Sequence, residues 1–348
     1  MKRRTEFFNT SLIYFVLISL FVLIRIGSAL HAFDWLGDAS ETVLSLIIQV
    51  GIMFTLPLLL SKTLNKKTYK QTFKDFRFNK VSAKAVFLSI GIGVLACIIN
   101  FAVASFFYFL MSQLGYSKGI GSGSTGTTVY TFWMFLLALF NSAILPGICE
   151  ETAHRGMLLH GFRDLGVKKA IILSSVLFGL MHLNIEQFFY ASVLGAFMGG
   201  LCISTNSIVP GMIIHFMNNA INTYLDFASA NNLFLGDLSN KISNFMSQNS
   251  FIVSMLLVLV VLVLAVFLTA WLVYLLFKET TGKKLKNLAD DLKSIPDADV
   301  QTIQIPAEYL GFDIHQKRKP AYVEKIFLYS TLIVSVAVTI STFVWGVL

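Results

Sequence analysis

The sequence predicts an all-α fold: a polytopic transmembrane helical bundle of about nine spans with its N-terminus in the cytoplasm. Three observations lead there. Of 348 residues, 55% are hydrophobic and only 13% are charged, with a mean hydropathy of +0.72, too little polar surface to cover a soluble globule of this size. Apolar runs able to cross about 30 Å of hydrocarbon as helices recur along the chain. The basic residues fall in short segments between those runs and not on one face of a soluble unit, which argues against a nucleic-acid partner and assigns the net charge of +8 to orientation in a membrane.

The runs lie near 11–31, 43–61, 85–113, 131–161, 170–185, 188–205, 207–226, 251–277 and 326–347, the fifth to seventh being short. The first follows Met1-Lys2-Arg3-Arg4, like the start of a signal peptide, yet it is too long for one and lacks a small-residue cleavage site. It is read as a retained helix. Alternation from a cytoplasmic N-terminus puts residues 1–10, 62–84, 155–169 and 278–325 inside, and these hold 24 of the 27 Lys and Arg residues. Only Arg25, Lys118 and Lys241 fall elsewhere, so the positive-inside rule is obeyed at every turn.

The chain divides into an N-terminal two-span region with a cytoplasmic basic loop (1–84), a membrane core (85–226) and a C-terminal two-span extension (227–348). The outer segment 32–42 carries Asp34, Asp38 and Glu41 without a base, and 114–130, rich in Gly, Ser and Thr, reads as a flexible connector. The mixed charges of 278–325 suit a surface lying against anionic lipid. Cys97, Cys149 and Cys202 sit in apolar stretches at spacings of no disulfide or zinc framework and are read as packing residues. No fixed-period repeat or inverted pair of broken helices is present, although Pro146-Gly147 interrupts the fourth span.

An ionisable side chain at the bilayer centre costs at least about 2.5 kcal/mol, so each one needs a reason. The fourth run holds Glu150-Glu151-Thr152-Ala153-His154-Arg155-Gly156, the fifth holds Phe178-Gly179-Leu180-Met181-His182, and the seventh holds His215-Phe216-Met217-Asn218-Asn219. Glu150 is 13 residues from Arg163 and His182 is 13 residues from Lys169. With Asn219 placed similarly, all come out roughly 18 to 20 Å deep at 1.5 Å per residue. The motifs are remote in sequence yet level in the membrane. Glu151 and Arg155, four apart, share a face and form a charge-compensating pair. Glu150 points about 100° away, free to accept a proton as a general base.

The pattern Glu-Glu-x-x-x-Arg, Phe-x-x-x-His and His-x-x-x-Asn, at 150–155, 178–182 and 215–219, resembles the three-motif signature of the CPBP family (CAAX protease and bacteriocin-processing, or Abi). That family of intramembrane proteases includes the type II CAAX prenyl endopeptidases and bacteriocin-immunity proteins. The likeness covers roughly 130–226, with Gly156, Gly195, Gly199, Gly200, Asn206-Ser207-Ile208 and Pro210 also fitting, so that 85–226 becomes the catalytic core. It implies an intramembrane endopeptidase in which Glu150 and His182 activate water, His215 and Asn219 stabilise the oxyanion, and Glu151 and Arg155 support them. It also admits a zinc enzyme with Glu150, His182 and His215 as ligands. With no His-Glu-x-x-His present, metal-free catalysis is preferred and Zn2+ is kept as the alternative.

The remaining histidines match no family position: His154 and His160 are read as helix-surface or cytoplasm-facing, His31 and His315 as a span end and a loop. Cys149 is read as inert. The expected substrate is a membrane-associated peptide or protein, and the expected location is a cell membrane, multi-pass and bacterial, with bacteriocin immunity or peptide maturation as settings. Two other classes compete: a catalytically silent scaffold regulating a sensor kinase through 278–325, and a proton-coupled transporter, for which buried Glu and His are also expected.

Overall fold

Backbone polar groups inside hydrocarbon must be satisfied within the chain, so apolar runs of this length close into helices. The computed structural model describes residues 5–117, 131–237, 241, 251–293 and 320–347, and every regular element among them is helical. We number ten helices: α1 Glu6–Ala29, α2 Ser40–Leu64, the short α3 Tyr69–Asp75, α4 Ala83–Gln113, α5 Phe132–Gly161, α6 Val167–Met181, α7 Ile185–Thr205, α8 Val209–Ala230, α9 Phe251–Lys293 and α10 Ile326–Val347. Most of the connector 114–130 and of the charged segment 278–325 lies outside the described residues.

Side chains start several of these helices where the sequence changes from polar to apolar. Thr5, Ser82, Thr131 and Asn184 each accept a hydrogen bond from a backbone N–H in the first turn of α1, α4, α5 and α7. Pro210 opens α8, where its missing N–H costs nothing.

Seven helices are long and apolar enough to cross a membrane: α1, α2, α4, α5, α7, the Leu256–Gly282 part of α9, and α10 with the turn before it. The other two expected spans are helices outside this set, for different physical reasons. α6 has 15 residues, about 22 Å of rise. α8 has 22 residues but carries His215, Asn218, Asn219, Asn222 and Asp226. α6 is packed chiefly on α7, and α8 on α4 and α5.

Polar contacts gather at two ends of the bundle. At one end Glu6 pairs with Lys67 and Arg163, Thr5 donates to Glu324 at 2.7 Å, Ser82 donates to Glu279 at 2.8 Å, and Asn79 donates to the Asn206 carbonyl at 2.7 Å. These residues come from, or lie beside, segments expected in the cytoplasm. At the other end the Tyr116 hydroxyl donates to Glu186 at 3.1 Å and the Ile185 amide to Thr342 at 3.0 Å. A reporter fused after Lys84 is accordingly expected to read cytoplasm and one at 118–126 the outside. A cytoplasmic signal from the second would reverse the orientation.

The core is continuous from Phe7, Tyr14 and Leu17 of α1 through Met157 and Leu158 of α5 to Phe178, Met198 and Ile214. Helices approach closely where glycine permits. A Cβ on Gly179 would lie 2.1 Å from Ser192 Oγ and 2.5 Å from the Phe188 carbonyl, so α6 and α7 can touch only with glycine there. Cys97, Cys149 and Cys202 are free and buried.

Candidate active site

The fourth span is where the helix geometry departs most from regular. Within α5, π-helical turns at Phe140–Ile144 and Thr152–Leu158 flank the α-helical Leu145–Glu151, a deviation that often marks functional segments. Pro146 has no N–H to offer the carbonyl four residues back, that of Ser142. Asn219 of α8 supplies a donor instead, its Nδ2 lying 2.9 Å from that oxygen. The break in one helix thereby fixes the amide of another.

Glu150 and Glu151 are both buried, at 6% and 0% exposure, and face different partners. Glu151 Oε1 accepts from Arg155 Nη1 at 2.7 Å and from His215 Nδ1 at 3.0 Å. The pair expected to compensate charge and support the site also orients an imidazole on α8. Arg155 is held further by the Phe178 ring, 4.2 Å below its guanidinium carbon. A Cβ at Gly195 would lie 3.1 Å from Nη2 and 3.2 Å from Phe178 Cδ1, so glycine there leaves room for both. Phe178 also meets the rings of His154, His182 and His215 edge-on at 5.0, 5.4 and 5.6 Å.

Glu150 Oε1 accepts from Gln49 Nε2 of α2 at 2.8 Å, while Oε2 is buried without a hydrogen-bond partner. His215 Nε2 stands 4.0 Å from Glu150 Oε2, too far for a direct hydrogen bond. With Nδ1–H given to a carboxylate, the neutral imidazole keeps its lone pair on Nε2, a tautomer assigned from the hydrogen-bond network.

His182 stands just past the end of α6 and not within a span body, where the chain turns through Leu183 at φ +50° and Asn184 caps α7. That turn places it on a cavity of about 370 Å³ that Glu150, His215 and Asn219 also line. All four residues expected to act in catalysis thus reach one cavity. Asn100 and Asn218 line it too, and Asn100 Nδ2 donates to Asn218 Oδ1 at 3.2 Å while Asn218 Nδ2 donates to Asn219 Oδ1 at 3.0 Å.

One expectation is corrected. His154 is fully buried and not on a helix surface, with Nδ1 at 2.7 Å from the Glu150 carbonyl and Nε2 at 3.0 Å from the Tyr14 hydroxyl. Helix α1, packed over this face of α5, removes it from the surface. His160 is mostly covered as well, its Nε2 3.5 and 3.6 Å from the carboxylates of Glu6 and Asp75. Among the described residues these three are the only His, Cys, Asp or Glu group whose ligand atoms all lie within 4.8 Å of one another. Lys67 and Arg163 already neutralise Glu6, and Lys67 also Asp75, so the cluster is an ion-pair network joining α1, α3 and α5. Glu150, His182 and His215 are not a group of that kind as placed.

Gln49 and Asn100 were not singled out in the sequence. Each is a lone amide inside an apolar run, and the reasoning that flagged the charged residues, extended to uncharged polar ones, finds both.

Fold and site together define an all-helical, multi-pass membrane protein with a buried carboxylate and two imidazoles around one cavity. Residues 131–221 match the family model described as type II CAAX prenyl endopeptidase Rce1-like, which is consistent with the CPBP resemblance. The matched interval contains Glu150, Glu151, Arg155, His182, His215 and Asn219. As a protease family it supports peptidase activity of the CAAX-protease-like intramembrane kind, on a peptide or protein substrate. No curated protein and no solved structure matches the chain.

Proposed function

We propose that this protein hydrolyses a peptide bond of a membrane-associated peptide or protein with a water molecule activated by Glu150. The observation that carries the reading is the facing pair of Glu150 Oε2, buried and without a partner, and His215 Nε2, 4.0 Å apart at the cavity wall. A water about 2.8 Å from each fits between them. Glu150 takes a proton as the water oxygen bonds to the carbonyl carbon, and then returns it to the amine that leaves as the C–N bond breaks. The 4.0 Å separation favours His215 over His182 as the partner of Glu150 in holding the water. His182 is left, with the second Nδ2 hydrogen of Asn219, to donate to the oxyanion. Glu151 and Arg155 keep His215 oriented and in the required tautomer, as a buried carboxylate does for a catalytic imidazole elsewhere.

Asn219→Ala is expected to lower turnover about 10²- to 10³-fold, the usual cost of one oxyanion donor, with a smaller change in KM. Chelators are expected to leave activity intact. Strong inhibition reversed by added zinc would instead support a metal held by Glu150, His182 and His215. The net charge of +8 and the simple loops suit a bacterial plasma membrane, with peptide maturation or bacteriocin immunity as the setting. The reading is tested by comparing membrane and secreted peptides from cells carrying the wild type or Glu150→Gln at matched abundance. Cleavage products specific to the wild type are expected. Identical peptides with an unchanged phenotype would favour a scaffold.

A further inference from the structure

Asn100 is the one residue of α4 between Lys84 and Gln113 that carries a carboxamide or a charge. It follows Cys97-Ile98-Ile99, precedes Phe101-Ala102-Val103, and lies outside the residues that match the protease family. Its side chain is buried, and holding α4 against α8 does not require it. Those two helices already meet closely at Gly93, where a Cβ would lie 2.7 Å from Met217 Cβ and 3.3 Å from Ile214 Cα. An amide kept inside an apolar span therefore calls for another reason.

The bonds of Asn100 lead to the oxyanion donor. Asn100 Nδ2 donates to Asn218 Oδ1 at 3.2 Å, Asn218 Nδ2 to Asn219 Oδ1 at 3.0 Å, and Asn219 Nδ2 to the Ser142 carbonyl at 2.9 Å. All three amides thus run in one sense, the nitrogen of each toward the oxygen of the next, and such a chain polarises its members. At one end the sense is fixed because a carbonyl only accepts. At the other it is set by Asn100, since Asn222 Nδ2 at 2.9 Å and Cys97 Sγ at 3.9 Å hold the backbone carbonyl of Asn218 and not its side chain. Without the Asn100 donor, the Asn218 amide is free to turn over and set its oxygen against that of Asn219. Asn219 relieves that contact by turning as well, which takes its nitrogen away from Ser142. A planar amide held at both its oxygen and its nitrogen, by contrast, has the direction of its remaining N–H fixed.

We infer that Asn100 is a positioning residue for the proposed hydrolysis, acting through Asn218 to keep the second Nδ2 hydrogen of Asn219 aimed at the oxyanion. The inference rests on the proteolytic reading above. It gives a span outside the matched segment a part in turnover: α4 contributes no reacting atom but orients the group that meets the developing charge. Asn100 also lines the cavity wall, so a direct contact with substrate is the alternative that the test has to separate.

The test is a double-mutant cycle on the full-length protein in liposomes, read on a peptide first identified as cleaved by wild type and not by Glu150→Gln. Asn100→Leu keeps the bulk and suits the apolar span but donates nothing. It is expected to lower kcat about 10- to 100-fold with KM changed by less than about twofold, a smaller loss than that of Asn219→Ala because the donor is misdirected and not deleted. In the Asn219→Ala background the same change is expected to alter kcat by less than about twofold, since no donor is left to orient. Asn100→Ala repeats both comparisons should the leucine variant fail to accumulate. An equal loss in the two backgrounds, which a direct substrate contact or a helix-holding role would give, overturns the inference. An unchanged kcat, or a loss confined to KM, overturns it too. Full turnover by Asn219→Ala would remove the oxyanion role of that residue and the inference with it. Absence of any Glu150-dependent peptide would instead remove the proteolytic reading on which both stand.

Discussion

Arg155→Ala is expected to deplete the folded protein from the membrane. The arginine and Glu151 are buried to 2% and 0% side-chain exposure, and the guanidinium is held between the carboxylate and the Phe178 ring. Its loss leaves Glu151, fully buried, with His215 as its remaining partner. Breaking a buried pair on one side costs about 3 to 5 kcal/mol, a large part of the 5 to 15 kcal/mol that typically separates folded from unfolded protein. Arg155→Lys keeps the charge but not the flat stacking surface, and is expected to fall between the two. Immunoblots of membrane fractions with detergent size-exclusion profiles measure the effect. Wild-type abundance of Arg155→Ala would show that the pair is not holding α5, α7 and α8 together.

Glu150→Gln is expected to do the reverse, leaving abundance unchanged and removing activity. The glutamine side chain has nearly the same shape, and its carbonyl oxygen still accepts from Gln49, which now donates to Glu150 at 2.8 Å. It has no proton-accepting carboxylate to place beside His215. Turnover should fall by at least about 10³-fold, close to the limit set by binding and the oxyanion donors alone. Two buried charged positions five residues apart in one helix would then separate in effect, Glu150 in turnover and Arg155 in abundance.

Much of this was legible in the sequence because membrane insertion makes polar residues conspicuous. The helical class followed from apolar run length, and the three motifs from charged or imidazole residues where such groups are costly. Periodicity could also place Glu151 and Arg155 on one face, and they pair at 2.7 Å although a π-helical turn begins at Thr152. That turn was invisible, since it follows from how α5 packs and not from any local residue preference. His154 was misread for a related reason. A helix wheel gives its direction, but not that Tyr14, 140 residues earlier, packs over it. Gln49 and Asn100 were hidden by being uncharged, and the end of α6 at Met181 by Leu183 and Ile185, which prolong the apolar run past it. The third member of the Glu151–Arg155–His215 network lies 64 residues from Glu151, a separation that no spacing rule within one helix can bridge.

The most direct test of the central claim is the initial rate of peptide-bond hydrolysis by purified full-length protein in liposomes, on a substrate identified from wild-type-specific products. Wild type, Glu150→Gln and a variant of a histidine distant from the site, His31→Gln, would be compared at equal folded concentration. The expected result is wild-type turnover for His31→Gln and loss of at least about 10³-fold for Glu150→Gln, with no rescue by zinc. Full hydrolysis by Glu150→Gln would contradict the assignment of Glu150 as the base.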